Sequence, residues 1–308
     1  MKKVIIAGAS GFVGRALTKT LLERGIIVYG IGRNAAKMRE FEGNPNFHML
    51  LLDFSEYEQI SALVNDEIDV FFYLAYQGVW GAQKRDYKIQ LENTLASCVA
   101  MEQAILLKCK KFVFGGSADE FETYKSIDIS GTFKASSANI YGAAKLAGET
   151  ICKTMAYYNG IEFNAALMTL IYGEGNKSKT LVNVLLADLI NGRRPKLVQG
   201  DFLYDIIYIE EVISALICIA EQGQNMSSYY VGHKDIATFE QLVTKIRDII
   251  NPNIELGFGE YSNTNTGTDY SKIDREKLFR ETKCCYDCDF DEGIKKTALW
   301  IQNNFEGE

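Results

Sequence analysis

The chain has 308 residues, of which 47% are hydrophobic and 24% charged, so it can bury a large core and has the composition of a globular protein. Its formal net charge of −7 is spread along the sequence without a Lys/Arg-rich block, which argues against nucleic acid or an anionic membrane surface as a partner. The first apolar run, 4–7, is interrupted by glycines and is too short for a signal peptide or a membrane span. We therefore expect a cytoplasmic protein that is not inserted in a membrane.

The cysteines fit the same compartment. Their number is seven, and most stand singly in apolar patterns, as is typical of reduced thiols in a cytosolic protein. The cluster at 284–288 contains a C-x-x-C spacing, but no second ligand pair follows it, and neither His48 nor His233 has a metal-ligand spacing to it. We expect no metal site.

Short β-rich runs alternate with amphipathic stretches of helical period, which predicts an α/β fold of the Rossmann type, a doubly wound parallel sheet with crossover helices. The predicted strands are 3–7, 27–31, 48–52, 70–75, 111–115 and 162–168. The predicted helices between them are 12–24, 55–64, 83–107 and 139–159.

Beyond residue 170 the alternation is looser, with helical patterns at 181–190, 210–222, 239–250 and 291–303. We expect a cofactor-binding domain over 1–170 and a smaller, mostly helical substrate-binding part over 171–308, with some of its segments returning to the first domain. The sequence has only three prolines and no flexible linker, so the two parts are expected to pack closely.

A glycine motif follows the first predicted strand and opens the first predicted helix. Gly8 permits the tight turn, Gly11 lets the backbone approach a pyrophosphate, and Gly14 allows the helix to pack closely on the strand. The phosphate would lie at the positive N-terminus of the helix. The spacing G-x-x-G-x-x-G, with its strand before and helix after, predicts a dinucleotide site.

The end of the second predicted strand indicates which dinucleotide binds. NAD sites commonly have a carboxylate there, whereas this chain has Arg33, and no acid lies within 30–37. A guanidinium pairs bidentately with a 2′-phosphate, which favours NADP(H), while NAD(H) stays possible. Asp53, after the third strand, could meet the adenine amino group or could cap the following helix.

Three side chains predict the chemistry. Tyr141 and Lys145 are four residues apart in a helical segment and therefore share one helix face. A neighbouring ammonium favours the phenolate, so we expect it to lower the phenol pKa into the range where proton exchange with a carbonyl or an alcohol is useful. Ser117, at the end of the fifth strand, would orient the reacting oxygen.

The order of these motifs resembles the extended short-chain dehydrogenase/reductase family, the NAD(P)-dependent nucleotide-sugar epimerases, dehydratases and ketoreductases. The similarity covers nearly the whole chain. The matching segments are GASGFVG at 8–14, Asp53, FFYLAYQG at 71–78, Asn93, the serine loop, IYGAAKLAGE at 140–149, IYGEG at 171–175 and YDIIYIEEV at 204–212.

The resemblance implies roles for individual residues. Tyr141 would be the acid/base, Lys145 would bind the nicotinamide ribose and tune Tyr141, and Ser117 would hold the substrate oxygen. The expected cofactor-binding residues are Gly8, Ser10, Gly11, Phe12, Val13, Gly14, Arg33, Asp53, Phe54, Leu74, Ala75, Tyr76, Tyr141 and Lys145. The expected substrate-binding residues are Gln77, Ser117, Asp119, Lys179 and Arg194.

Within the family, AYQGVWG at 75–81 and GDFLYDIIYIEEV at 200–212 resemble the branch of 4-ketoreductases for 6-deoxy nucleotide sugars. The chain departs from many relatives at Leu167, Leu170 and Tyr204, where they carry groups that touch sugar or phosphate, so a substrate pose cannot be transferred. Sugar dehydratases need Thr-Asp-Glu at the serine loop. With Ser117 aligned to that Thr, their Asp position is Ala118, which disfavours dehydration.

We therefore expect an NADP(H)-dependent oxidoreductase that acts at carbon 4 of a nucleotide sugar, reducing a nucleoside-diphosphate 4-keto-6-deoxy sugar. A 4-epimerase would use the same residues but keep its cofactor, and a cofactor-binding regulator without turnover is a further alternative. The helices 83–107 and 139–159 could form the interface of a homodimer, as in relatives.

Overall fold

A computed structural model describes residues 1–126, 139–262 and 268–304. The chain divides into two compact units. The first, called here the sheet unit, comprises Met1–Met168, Ile213–Val231 and Lys277–Cys284, and the second, called here the small unit, comprises Thr169–Val212, Gly232–Glu276 and Cys285–Glu308. The assignment of cofactor binding to one part and substrate binding to the other stays a prediction.

The sheet unit is built on seven parallel strands with helices between them, which confirms the Rossmann-type fold. Their order is β11-β6-β5-β4-β1-β2-β3. The strands are β1 (Lys3–Ala7), β2 (Ile27–Gly32), β3 (Phe47–Leu51), β4 (Val70–Tyr73), β5 (Lys111–Ser117), β6 (Glu162–Met168) and β11 (Ser227–Val231). Because β1 lies between β2 and β4, the strand order reverses there, and a crevice opens at the carboxyl ends of β1 and β4.

Two predicted strands have the predicted bounds, β1 and β6, and the other four differ by a few residues. The seventh strand, β11, was not predicted, because it comes after residue 170, where the alternation is loose. It pairs with β6 through Tyr229↔Ala166.

The helices of the sheet unit are α1 (Phe12–Glu23), α2 (Ile60–Leu63), α3 (Tyr87–Leu106), α4 (Asp119–Ser126), α5 (Asn139–Asn159), the end of α7 (Ile209–Gln222) and α9 (Lys277–Thr282). The predicted helix 55–64 is mostly a 3₁₀ helix, Phe54–Gln59, that precedes α2. The predicted helix 83–107 is also divided, because the Asp86 side chain accepts a hydrogen bond from Lys88 N at 2.9 Å and so caps a new helix start. The 3₁₀ helix Gly81–Arg85 precedes that cap.

A row of aromatic side chains fills one face of the central strands. Phe71, Tyr73, Phe112, Phe114 and Phe163 are at most 1% exposed. Neighbouring rings stack across the strands, with centroids 5.2 Å apart for Phe71 and Phe112 and 5.8 Å apart for Tyr73 and Phe114. Since burying each such side chain contributes about 1.5–3 kcal/mol, this row fixes the ends of β4 and β5 firmly.

The small unit combines short strand pairs with helices. Its strands are β7 (Leu170–Tyr172), β8 (Lys196–Val198), β9 (Leu203–Tyr204), β10 (Ile206–Tyr208), β12 (Ala237–Thr238) and β13 (Gly257–Tyr261). Its helices are α6 (Leu181–Ile190), the start of α7, α8 (Phe239–Ile250) and α10 (Phe290–Asn304). Across the described ranges, no helix has both the length and the apolar content needed to cross a membrane.

Candidate active site

The glycine motif forms a tight loop between β1 and α1. Gly8 has a φ of +92°, and its N–H donates to Ile31 O at 2.9 Å, which fixes the loop on β2. A Cβ at Gly8 would lie 2.8 Å from Ala75 N, and a Cβ at Gly14 would lie 2.1 Å from Gly8 O. The motif therefore brings the backbone of the loop, the helix and the segment after β4 closer together than side chains would allow.

The N-terminus of α1 faces this loop and has the features of an anion site. Gly11 is the N-cap, no side-chain hydrogen bond caps it, and the first turn has no acidic residue. The backbone N–H groups that open the helix, at Phe12 and Val13, are thus available for an anion, and the helix dipole favours negative charge there. Together with the closely packed glycines, this geometry fits a dinucleotide pyrophosphate. Ser10 lies beside Gly32 of β2, where an added Cβ would come within 2.7 Å of its hydroxyl.

Arg33 lies just past β2 and has two partners. Its Nη1 donates to Gln77 Oε1 at 2.9 Å and lies 3.6 Å from Asp53 Oδ1. Both charged side chains are about half exposed, 54% for Arg33 and 50% for Asp53, so solvent weakens their attraction. Sequence reasoning found no acid near Arg33 because it considered only the chain after β2, whereas the acid comes from the end of β3.

Asp53 caps the 3₁₀ helix that follows it. Its Oδ1 accepts a hydrogen bond from Phe54 N at 2.7 Å, and Glu56 reaches back to Asp53 N at 2.9 Å, which completes a capping box. One of the two proposed roles of Asp53 is therefore present. Contact with adenine stays a prediction.

The segment after β4, which contains Leu74, Ala75, Tyr76 and Gln77, borders the crevice. Asn93 of α3 is fully buried and clamps this segment, since its Oδ1 accepts from Gln77 N at 2.8 Å and its Nδ2 donates to Gln77 O at 2.9 Å. The Tyr76 ring packs edge-on against Tyr141, with centroids 5.5 Å apart. The amide of Asn93 thus fixes the backbone of the segment that borders the crevice.

Ser117 and Tyr141 come together as predicted from the motif. Their side chains are hydrogen-bonded to each other, and Tyr141 is 8% exposed. The Ser117 hydroxyl also accepts a hydrogen bond from Asp119 N at 3.2 Å. A hydroxyl and a phenol in direct contact can both bind a single substrate oxygen.

Lys145 lies one helical turn after Tyr141 on α5 and is buried, with 5% exposure. Its Nζ donates to Gly115 O at 2.5 Å and lies 3.9 Å from the centre of the Tyr76 ring. Burial lowers the pKa of Lys145 to about 8, and nearby carboxyl groups oppose that effect. The ammonium is thus held at the carboxyl end of β5.

The expected lowering of the Tyr141 pKa is wrong for this arrangement of side chains. Burial, with the charge of Asp119, raises the pKa of Tyr141 above its ordinary value, and only the hydrogen bond from Ser117 acts in the opposite direction. Lys145 is directed to Gly115 O and to the Tyr76 ring. Proton transfer from Tyr141 therefore depends on stabilisation that develops as the phenolate forms.

Sequence reasoning missed three charged residues beside this group. Lys84, from the 3₁₀ helix before α3, forms an ion pair with Asp119, and its Nζ lies 4.8 Å from the centre of the Tyr141 ring. Glu120 and Glu149 are buried, at 1% and 7% exposure. One available signal was the spacing of Lys145 and Glu149, four residues apart on one helix face.

The two other predicted substrate contacts lie in the small unit. Lys179 precedes α6, and Arg194 precedes β8. The Arg194 guanidinium is bound by Glu260 at 2.6 Å and by Glu255 at 3.4 Å. A substrate phosphate would have to compete with these carboxylates, and the roles of both cations stay predictions.

The fold and its sequence motifs are those of a dinucleotide-binding enzyme. Comparison with known protein families identifies the family. The model of the NAD dependent epimerase/dehydratase family matches residues 4–232. The chain belongs to this family, whose extended short-chain dehydrogenase/reductase members act on nucleotide sugars as epimerases, dehydratases or reductases. It is therefore an NAD(P)-dependent enzyme.

Individual relatives are distant. The chain is 25% identical over 272 residues to CDP-abequose synthase of Yersinia pseudotuberculosis, covering 85% of this chain and 89% of that one. It is 23% identical to dTDP-4-dehydro-6-deoxyglucose reductase of Escherichia coli, with 85% and 86% covered. It is 24% identical to an uncharacterised protein of Sinorhizobium fredii, and this alignment covers 79% of this chain but only 59% of that protein.

Among solved structures, the Bordetella bronchiseptica enzyme WbmF in complex with NADH has the same fold, with a TM-score of 0.80 and 21% identity, covering 98% of this chain and 92% of that one. At that identity the similarity establishes the fold.

Proposed function

We propose that this enzyme reduces the 4-keto group of a nucleoside-diphosphate 4-keto-6-deoxy sugar with NADPH. The hydrogen bond between Ser117 and Tyr141, at the carboxyl end of β5, carries the proposal, because it presents two donors to one carbonyl oxygen. Lys145 lies one turn away on the same helix. The dehydro-sugar reductase of Escherichia coli, 23% identical over most of both chains, supports this choice of substrate class.

When bound, the dinucleotide supplies the hydride. Tyr141 donates its proton to the carbonyl oxygen, while Ser117 holds that oxygen. The phenolate left on Tyr141 is stabilised by the Lys145 ammonium, which is largely charged at pH 7 because its pKa is about 8. Burial of Tyr141 makes its free phenolate unfavourable, so this residue is suited to act as the acid in the reductive direction.

Arg33 supports NADP(H) as the cofactor. Its guanidinium stands at the end of β2, half exposed, and its attraction to Asp53 at 3.6 Å is weak at that exposure. A 2′-phosphate carries more charge than one carboxylate and can pair with Arg33 bidentately. The NADP pool is usually kept reduced, which favours ketone reduction.

Dehydration is disfavoured by the serine loop. Ser117 occupies the hydroxyl position beside Tyr141, so the position of the dehydratase aspartate is Ala118, which has no acid. The next residue, Asp119, is paired with Lys84. Glu120, which follows, is buried and accepts a hydrogen bond from Ser117 N at 2.7 Å, so it is directed to the backbone of the loop.

The alternative activity, 4-epimerisation with a retained cofactor, is favoured by one observation. Asp53 at 3.6 Å offsets part of the Arg33 charge, and an uncharged 2′-hydroxyl would suit such a balanced pair better than a phosphate would. NAD(H) would then stay bound while the sugar is oxidised and reduced on its opposite face.

One experiment separates the two activities. The purified protein is incubated with NADPH or NADH and dTDP-, CDP-, GDP- and UDP-4-keto-6-deoxy sugars, and separately with UDP-hexoses alone. Reduction predicts stoichiometric loss of NADPH absorbance together with formation of a 4-hydroxy sugar. Interconversion of UDP-hexoses without net loss of cofactor would contradict it in favour of the epimerase.

We also propose that the enzyme is a homodimer formed through α3 and α5. These helices pack together, since Thr94 Oγ donates to Ala144 O at 3.0 Å. Tyr87, Leu91 and Leu95, at successive turns of α3, are 59%, 61% and 66% exposed. Such a stripe of apolar side chains is costly in water and suits a second copy of the same helices.

If α3 forms the dimer interface, charged side chains introduced on its exposed apolar stripe should separate the two copies. Leu91→Glu together with Leu95→Glu is expected to give a monomer in sedimentation velocity, whereas Leu299→Glu, a 61% exposed leucine on α10, leaves the dimer intact. A wild-type protein that sediments as a monomer at micromolar concentration would contradict the proposal.

A further inference from the structure

Glu120 and Glu149 form a buried carboxyl cluster that the proposed reaction does not use. Glu120, on the first turn of α4, accepts a hydrogen bond from Ser117 N at 2.7 Å through Oε1. It packs tightly over β5, because a Cβ at Gly116 would lie 2.8 Å from the same oxygen. The carboxyl group therefore holds the backbone of the residue whose hydroxyl bonds Tyr141.

The second oxygen of Glu120 has an unusual environment. Oε2 is buried, and no side-chain or backbone donor among the described residues reaches it. The Glu120 carboxyl group lies beside the carboxyl of Glu149, which accepts a hydrogen bond from Ser228 Oγ of β11 at 2.5 Å. Burial, and after it the charge of Glu149, raises the pKa of Glu120 well above its usual range, so near neutral pH Glu120 holds a proton and the pair carries one negative charge.

Lys145 is the cation that responds to this cluster. Burial disfavours its ammonium, whereas the charges of Glu120 and Glu149 favour it and keep its pKa from falling further. Among the described residues, the charge of Glu120 or Glu149 also raises the pKa of three phenols, which are neutral at pH 7: Tyr76, Tyr124 and Tyr141.

We propose that Glu120 and Glu149 share one proton and together carry a single negative charge, which keeps Lys145 charged while Glu120 holds Ser117 in place. Both are positioning residues, since they act through Lys145 and Ser117. The inference rests on the roles proposed above for those two residues. Its direct consequence, one buried protonated carboxyl, is independent of turnover.

Infrared difference spectroscopy at pH 8 tests that consequence first. Wild-type protein is expected to show the carbonyl band of a buried carboxylic acid. Glu120→Gln is expected to abolish it, because the proton lies on Glu120, whose burial is the larger cause of its raised pKa. Persistence of the band in Glu120→Gln, or its absence from the wild type, would overturn the proposal. Burial also raises the pKa of Glu211 to about 7, so the spectrum of Glu211→Gln is used to identify and subtract the contribution of that carboxyl.

The pH profile of turnover tests the effect on Lys145. The wild type is expected to lose activity as pH rises through about 8, the pKa of Lys145, because the ammonium is the active form. This fall in activity is called here the alkaline limb of the pH profile. Glu120→Gln keeps the Glu149 carboxylate and should keep that limb in place. The double variant, Glu120→Gln with Glu149→Gln, removes the charge, so burial acts unopposed and the limb moves down by about one pH unit or more.

A matched control removes the same charge elsewhere. Glu58→Gln with Glu102→Gln changes two exposed carboxylates of the sheet unit and is expected to leave the limb in place. A double active-site variant whose limb does not move, in a protein that melts normally, would overturn the role assigned to the pair. Absence of turnover in the wild type would refute the proposed substrate and leave the infrared result to decide this inference.

Discussion

Gly14→Ala places a methyl group in the tightest contact of the dinucleotide loop. The added carbon would lie 2.1 Å from Gly8 O and 2.7 Å from Gly8 C, about 1.3 Å short of an ordinary contact. Gly8 cannot retreat, because its N–H is bonded to Ile31 O and because the backbone of Ala75 lies 2.8 Å from the place that a Cβ on Gly8 would take. The start of α1 must therefore move away from the loop.

Two consequences follow from that displacement. Overpacking costs about 1–3 kcal/mol of unfolding free energy, a fall of roughly 2–4 °C in Tm per kcal/mol for a large domain. A shift of about 1 Å also takes the N–H groups at the start of α1 out of hydrogen-bond range of a pyrophosphate. Loss of one hydrogen bond to a charged group, about 1.5–3 kcal/mol, weakens cofactor binding about 10- to 150-fold.

Gly25→Ala separates the two consequences. Gly25, at the other end of α1, has a φ of +73° and no heavy atom within 4 Å of an added Cβ, so this variant is strained but leaves the loop unchanged. Calorimetric melting should show both variants destabilised. Titration with NADPH should show weakened binding only for Gly14→Ala, and equal affinities for the two variants would refute the steric argument.

Three other substitutions have definite outcomes. Arg33→Ala is expected to weaken NADPH binding about 10- to 150-fold and to change NADH binding little in fluorescence titrations; equal losses for both cofactors would exclude a 2′-phosphate contact. Tyr141→Phe is expected to lower kcat about 10²- to 10⁴-fold with unchanged cofactor Kd, and full activity would exclude Tyr141 as the acid. For Asp69, burial is outweighed by hydrogen bonds from Lys110 Nζ and from the amides of Lys2 and Lys3, which lower its pKa to about 2. This pKa lies below that of the unfolded chain, so the ionised Asp69 contributes about 2 kcal/mol to the free energy of unfolding. That contribution is present above roughly pH 4 and is lost as pH falls towards 2. Acid-unfolding curves of Asp69→Asn should therefore depend less on pH in this range, and an unchanged slope would contradict the assignment.

The features that sequence predicted correctly are local ones. The turn at Gly8 and the close packing of Gly14 require residues without a Cβ, so the residue types alone indicate the loop. The pair Tyr141 and Lys145 is likewise local, since four residues on a helix bring two side chains to one face.

The features that sequence missed depend on contacts between distant segments. Asp53 reaches Arg33 only because β2 and β3 are neighbours, and the Glu120 and Glu149 cluster forms only where α4 meets α5. The rise in the Tyr141 pKa has the same origin, because burial depends on everything packed around the phenol. Spacing along the chain carries no information on these effects.

The central claim is hydride transfer to a sugar carbonyl with Tyr141 as the proton donor. It is tested most directly with NADPH that carries deuterium at the transferred position of the nicotinamide, incubated with the 4-keto-6-deoxy sugar that the protein consumes. The account predicts one deuterium at carbon 4 of the product by mass spectrometry and NMR, and almost none with Tyr141→Phe. A product without deuterium at that carbon, or label transferred at the wild-type rate by Tyr141→Phe, would contradict it.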